Sequence, residues 1–540
     1  MEAECMSNCQ KLLIFGLDGA TWDILMPLIE KKKLPTLEKL VKNGSYGVLE
    51  STIPPVTGGA WLSLATGKNP GKTGIIDFLN RKKLSHKLYL TNSSDFKGHS
   101  FWDYLNKANK KVGIFNYPML FPPYRVNGFM VSGLGSSPDG EIAFPLSLKK
   151  ELENVESPYE IYVDYHNKKY ENLDLFIHDL NKFLDKFERW VYYLVNNKEW
   201  DLLFLVFSVT DWLQHIIWRH IDETHPMYDP MVSPIYKQEF IKFWQRIDKI
   251  LGNIINMIPK DTIVFLVSDH GFGPNDQTFN LAKWLIMKGY MRRKRNIQKL
   301  IKKYAYKVAT VMAKTPIRKL FPTNTRKSVG NALRTSIADE IDFKKSKAYC
   351  LGHTIPFGAI YINESNEQEK NKIKTQLVTD LKNIRKDIGR QVDVQIYEPK
   401  KLYSGEKSKL LPDIIFTINN WRCVIIEDNF DRPLFEEKPF STRHTGSHRL
   451  NGIFLAYGPG IKKGKRFNAK IYDVAPTILH IFDLPIPNDI DGRILMEIFE
   501  EDSKFARRQP KYVDPIYYGK KPEDEKLKNA IKNLNLKGKI

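Results

Sequence analysis

The chain of 540 residues has only four cysteines, Cys5, Cys9, Cys350 and Cys423, too few and too scattered for a disulfide framework. Cys5 and Cys9 form a C-x3-C pair with no second pair beside it, which reads as a reduced N-terminus rather than a metal site. Long apolar runs are absent as well. Leu12 to Leu17 is broken by Asp18, and Leu202 to Phe207 and Ile263 to Val267 fall far short of the roughly 18 residues that span a bilayer. The first ten residues are polar and carry no secretory pattern, so the expected location is the cytoplasm. No internal repeat or low-complexity tract is visible.

One stretch lacks acid altogether. From Met291 to Ala338 there are 14 Lys and Arg and no Asp or Glu, whereas the whole chain has 83 Lys and Arg against 62 Asp and Glu, a net charge of +21. That stretch supplies two thirds of the excess and leaves the other 492 residues at about +7, ordinary for a soluble protein. Such a distribution argues against a chain that coats a nucleic acid polymer and for a local basic patch.

Short β-rich apolar runs alternate with helical patterns, the mark of a parallel sheet buried on both faces. The strand candidates are Leu12 to Leu17, Val112 to Phe115, Leu202 to Phe207, Ile263 to Val267 and Ile453 to Tyr457. Helical patterns at Pro35 to Asn43, Leu173 to Asn196, Lys237 to Met257 and Asn280 to Lys288 lie between them. The expected fold is α/β: a doubly wound, mostly parallel sheet flanked by helices. Residues 11–290 read as the first part of the core and 291–340 as a basic helical insertion or cap. Residues 341–500 read as the second part, with a small subdomain around Ala359 to Ile362 and Asp413 to Ile418, and 501–540 as a tail with a helix at Leu527 to Leu534.

Three strand candidates run into carboxylates, at Asp18, Asp211 and Asp269. Open parallel sheets bind ligands beyond the carboxyl ends of their strands, so all three are expected in one crevice. Asp211 and His215 are four apart and share a helical face, while Asp269 and His270 are adjacent at a strand end. Oxygen and imidazole donors at this density suit Zn²⁺ or Mn²⁺. Pro54-Pro55-Val56-Thr57-Gly58-Gly59 brings in an extended chain that turns into a helix start, where a hydroxyl meets the positive end of the helix dipole. Thr57 as a plain N-cap is the competing reading. Asn116, in Asn-Tyr-Pro, is a weak candidate donor to a phosphoryl oxygen, against a loop-capping role.

Taken in order, Phe15-Gly16-Leu17-Asp18-Gly19-Ala20, Pro-Pro-Val-Thr57 with Trp61 and Thr66-Gly67, Ser208 to His215, Ser268-Asp269-His270-Gly271-Phe272-Gly273 and Gly446-Ser447-His448-Arg449 resemble a known family. They are similar to the type I phosphodiesterase/nucleotide pyrophosphatase branch of the alkaline phosphatase superfamily, with blocks spread over about residues 11 to 490. The resemblance implies an alkaline phosphatase-like fold and two divalent metal ions, usually zinc, with Mn²⁺ as the alternative. Asp18, Thr57, Asp269 and His270 would surround one ion, and Asp211, His215 and His448 the other, with His444 a weaker competitor for His448. Thr57 would form a phosphoenzyme that water then cleaves.

That implies a metal-dependent hydrolase of phosphodiester or pyrophosphate bonds. The substrate would be a phosphorylated small molecule or a lipid-linked one. Sulfatases of the same superfamily need a Cys or Ser that is converted to formylglycine, which Thr57 excludes. A phosphomonoesterase or phosphotransferase is the first alternative, disfavoured by the uncharged neighbours Gly58, Gly59, Ala60 and Trp61. A degenerate member binding anionic polymers or membranes through 291–338 is the second, disfavoured because all seven proposed ligands are present. Peripheral contact of 291–338 with an anionic membrane remains an expectation for the enzyme too. Two departures from many relatives stand out, Gly59 in place of Pro and Thr73 in place of His.

Overall fold

The computed structural model describes residues 10–81, 85–137, 140–294, 337–353, 356–427 and 430–519. The basic segment 291–338 therefore lies almost wholly outside the described residues, as do Cys5, Cys9 and the helix expected at 527–534.

Nine strands form the central sheet: β1 (Leu12–Leu17), β2 (Ser45–Glu50), β3 (Val112–Tyr117), β4 (Gly128–Ser132), β5 (Ala143–Phe144), β6 (Leu202–Phe207), β7 (Ile263–Val267), β8 (Asn451–Tyr457) and β9 (Lys465–Lys470). Their order is β9-β2-β8-β7-β1-β6-β3-β4-β5. β7, β1, β6, β3 and β4 are parallel to their neighbours, while β8 runs antiparallel to both β7 and β2, and β5 antiparallel to β4. In the middle, Gly16 pairs with Val206 on one side and Val267 on the other.

Strand side chains alternate between two cores because the strand period is two. Leu13, Phe15 and Leu17 of β1, with Leu203, Leu205 and Phe207 of β6, face one layer of helices. That layer holds α1 (Pro35–Asn43), α3 (Leu173–Asn197), α4 (Val209–Ile221) and α5 (Ser233–Met257). Leu12 and Ile14, with Leu202, Phe204 and Val206, face the opposite layer, which holds α2 (Thr57–Thr66) and α6 (Val474–Ile481). Strands buried on both faces have no polar side, which is why they read as continuous apolar runs. Helix α3 shows the complementary pattern: Phe176, Leu180, Phe183, Phe187, Trp190 and Leu194 line its buried face. Its first turn is capped by Asn172, whose side chain accepts from the Leu175 amide at 3.1 Å.

A second, four-stranded antiparallel sheet follows the order Ala348–Tyr349, Gly358–Ile362, Ile414–Ile418, Val394–Tyr397. Its core includes Val56 and Ile76 from the segments around α2, so it packs behind the helix that begins with Thr57. Among the described residues no helix is long and apolar enough to cross a membrane.

Candidate metal centre

The carboxyl ends of β1, β6 and β7 deliver Asp18, the start of α4 and Asp269 to one place. Gly19, in the left-handed region at φ 69°, turns the chain away from β1 immediately after Asp18. The first turns of α4 are tied to that turn: Thr210 Oγ1 donates to the Asp18 carbonyl at 2.6 Å, and Gln214 Nε2 to the Gly19 carbonyl at 3.0 Å. Asp211 and His215 consequently share the face of α4 toward Asp18, as their spacing requires. His448 arrives on a two-stranded ribbon in which Gly446–Arg449 pairs antiparallel with Gly271–Pro274, directly after His270.

Thr57 is the first residue of α2. Val56 takes the extended capping conformation and makes no side-chain cap, so the Thr57 hydroxyl is not consumed as a cap and instead lies 3.2 Å from His270 Nε2. Two glycines let the chain pass close behind it. A Cβ on Gly58 would stand 2.8 Å from the Asp77 carbonyl carbon, and one on Gly59 2.8 Å from that of Ile76. The space a proline ring fills in many relatives is taken here by backbone.

All three imidazoles are oriented the same way. His215 Nδ1 faces the Gly446 carbonyl at 3.0 Å, His270 Nδ1 the Gly271 carbonyl at 3.0 Å and His448 Nδ1 the Pro55 carbonyl at 2.9 Å. A carbonyl only accepts, so each Nδ1 carries the proton and each Nε2 presents a lone pair. Those lone pairs point at other acceptors. His448 Nε2 is 3.2 Å from His215 Nε2 and 3.3 Å from Asp211 Oδ1; His270 Nε2 is 3.3 Å from Asp269 Oδ2 and 3.5 Å from Asp18 Oδ1. Asp18 Oδ1, Asp211 Oδ1 and Asp269 Oδ2 are buried without a hydrogen-bond partner. Acceptors do not gather in this way unless positive charge holds them together.

The residues therefore fit divalent cations. Asp18, Asp269 and His270 offer ligand atoms within 4.8 Å of one another, and so do Asp211, His270 and His448; His215 joins the second group through its 3.4 Å approach to Asp211 Oδ1. His270 borders both. Taken without cations, the cluster is electrostatically out of balance. Burial, then the charges of Asp269 and Asp211, hold the Asp18 carboxyl well above the ordinary range, and burial with the Asp211 charge raises Asp269 too. Burial also works to raise Asp211, but the His215 and His448 imidazoles outweigh it and hold it low. Burial and neighbouring imidazoles keep His270 neutral.

The structure brings Asp18, Thr57, Asp211, His215, Asp269, His270 and His448 together in this cluster. Asn116 is placed differently: at φ 59° near the end of β3, its Nδ2 donates to the Val206 carbonyl at 2.8 Å and ties β3 to β6. His444 lies beside His215, with ring centroids 5.4 Å apart. Several contributors had no motif to announce them. The carbonyls of Pro55, Gly271 and Gly446 orient the imidazoles, Trp61 Nε1 approaches Asp18 Oδ2 at 3.4 Å, and Tyr165 stacks on His215 at 5.3 Å. Backbone carbonyls leave no trace in side-chain identity, and Tyr165 comes from a loop before α3.

A crevice at the carboxyl ends of a doubly wound sheet, holding three buried carboxylates, three Nε2-presenting imidazoles and a hydroxyl, defines a metal-dependent hydrolase site. A family model described as type I phosphodiesterase / nucleotide pyrophosphatase matches residues 12–447, and the chain belongs to this family. It is similar over 80 residues, at 38% identity, to a 2,3-bisphosphoglycerate-independent phosphoglycerate mutase of Bacteroides thetaiotaomicron, a match spanning 14% of this chain and 15% of that protein's length. Among solved structures, it shares its fold with phosphonoacetate hydrolase from Sinorhizobium meliloti 1021 in complex with phosphonoacetate (TM-score 0.51, 12% identity, 88% of this chain and 95% of that one). Murine ectonucleotide pyrophosphatase / phosphodiesterase 5 matches with a TM-score of 0.47 and 15% identity over 88% of this chain and 95% of its own.

Proposed function

We propose that the protein hydrolyses phosphodiester or pyrophosphate bonds through a phosphothreonine at Thr57, with two divalent cations held by the clustered carboxylates and imidazoles. The observation that carries this reading is the spacing of the cluster. Acceptor atoms separated by 3.2–3.5 Å match the edge of about 3.3 Å that four ligands make around a tetrahedral Zn²⁺ with bonds near 2.0–2.1 Å. The donor set supports zinc, with Mn²⁺ as the alternative.

Bound cations supply the positive charge that a phosphoester needs, lowering the pKa of a hydroxyl and neutralising a leaving oxygen. The chain's own groups do the rest. Thr57 sits at the positive end of α2, so its alkoxide is favoured there. Its Oγ attacks phosphorus, forming the Thr57 O–P bond as the bond to the leaving oxygen breaks. That oxygen departs with its electron pair and is protonated from solvent. Water then attacks the phosphothreonine, restores the hydroxyl and releases the phosphoryl product. The uncharged surroundings Gly58, Gly59, Ala60 and Trp61 favour diesters and pyrophosphates over monoesters, whose additional charge calls for a cationic side chain beside the nucleophile.

Thr57→Ala should reduce hydrolysis of bis-(p-nitrophenyl) phosphate by about 10³-fold or more, with a chelator giving the same loss in the unsubstituted protein. Undiminished turnover in Thr57→Ala would sink the nucleophile assignment. Wild-type protein inactive after zinc or manganese reconstitution would sink the hydrolase reading.

A further inference from the structure

The contacts continue beyond the metal cluster in one direction. Thr57 meets His270, whose ring stacks on His448 with centroids 3.7 Å apart. His448 meets His215, and the His215 ring adjoins those of Tyr165 and His444 at 5.3 and 5.4 Å. His166 then stacks on His444 at 5.0 Å. Arg443 is at this far end. Its guanidinium is partly buried, and Nε and Nη1 are both shut from solvent with no hydrogen-bond partner. Burial chiefly, and the Arg443 charge in part, disfavour protonation of His166 and His444, which places the guanidinium within electrostatic reach of both rings.

Buried N–H donors of a cation left without acceptors are costly, and a guanidinium held in that state is prepared for an acceptor that a ligand brings. Arg449 makes the contrast. Its Nη1 donates to the Trp421 and His448 carbonyls at 3.0 and 2.8 Å, and its Nη2 to the Pro274 carbonyl. It fastens the ribbon that carries His448 and is spoken for.

In-line phosphoryl transfer puts nucleophile and leaving oxygen on opposite sides of phosphorus. With Thr57 at one end of the row, the leaving portion extends past His215 toward Arg443. We propose that Arg443 is a specificity-determining residue that binds a second phosphate on the leaving portion, so that the enzyme prefers pyrophosphate-linked substrates to diesters whose leaving portion is uncharged. This rests on the hydrolase reading above.

Two measurements separate its failure from the failure of that reading. By titration calorimetry on zinc-loaded protein, α,β-methylene adenosine diphosphate should bind more tightly than adenosine monophosphate. Arg443→Gln should remove about 10-fold or more of that preference and Arg443→Lys should retain part of it, with thermal melting confirming that both variants are folded. An equal preference in wild type and Arg443→Gln, or none in wild type, overturns the assignment. In turnover, the ratio of kcat/KM for a nucleoside diphosphate sugar to that for bis-(p-nitrophenyl) phosphate should fall by about 10- to 100-fold in Arg443→Gln. An unchanged ratio overturns it. Wild type that turns over neither compound refutes the hydrolase reading, and the calorimetric preference then decides Arg443 by itself.

Discussion

Single atoms decide what this cluster can do. Three Nδ1 atoms on three backbone carbonyls fix three tautomers, and the resulting Nε2 lone pairs, with three unpartnered carboxylate oxygens, turn a group of ordinary polar residues into a cation site. The residue types and their order along the chain were legible in the sequence, because Asp and His after apolar runs are conspicuous. The tautomers were not, because they depend on carbonyls from Pro55, Gly271 and Gly446, and Arg443 was hidden because nothing local marks a donor that finds no acceptor. The nucleophile depends on the absence of side chains at its neighbours. Gly59→Ala would drive a Cβ into the Ile76 backbone at 2.8 Å, costing about 1–3 kcal/mol by overpacking and displacing the first turn of α2. Urea unfolding should show that loss and steady-state kinetics a lower kcat, whereas unaltered stability and rate would mean that the turn has room to spare.

At the scale of elements, β1, β6 and β7 are read from the sequence to the residue, since a strand buried on both faces is a continuous apolar run bounded by polar residues. β2 and β9 are not. β9, Lys465–Lys470, buries only Ala469 fully, and an edge strand of that kind has no apolar pattern to recognise. The attachment of the second sheet was equally hidden. It is held to the core by His353, whose Nδ1 lies 3.1 Å from Asp77 Oδ2 and whose Nε2 lies 2.8 Å from the Tyr361 hydroxyl. Burial acts to lower the His353 pKa, but the Asp77 hydrogen bond and the charges of Glu427 and Asp77 outweigh it and raise it above 6.5. A raised histidine stabilises the folded state fully below its unfolded pKa of about 6.5, and that contribution is lost as pH rises through the folded value. His353→Gln should therefore destabilise more at pH 6 than at pH 9 in urea unfolding, and an equal loss at both pH values would remove the charge from this account.

For the whole molecule, the cluster makes stability conditional on bound cations. In the cation-free state Asp18 and Asp269 bind protons more tightly than in the unfolded chain, where carboxyls titrate near 3.8. The native form then holds the larger number of protons between the unfolded and folded pKa values, and stability falls as pH rises through that interval. Chelated protein should lose melting temperature progressively from pH 5 to pH 8, and zinc-reloaded protein should not; parallel curves would show that these carboxylates do not control stability. Sequence alone determined the alternation of buried strands and helices, the seven residues of the cluster and the concentration of positive charge in 291–338, because periodicity, residue chemistry and charge are properties of local order along the chain. Only the tertiary structure decided which atoms face which. Proton positions on imidazoles, the fastening of Arg449 and the unpartnered donors of Arg443 arise from segments hundreds of residues apart, and a hydrogen bond exists only once both partners have been brought into contact.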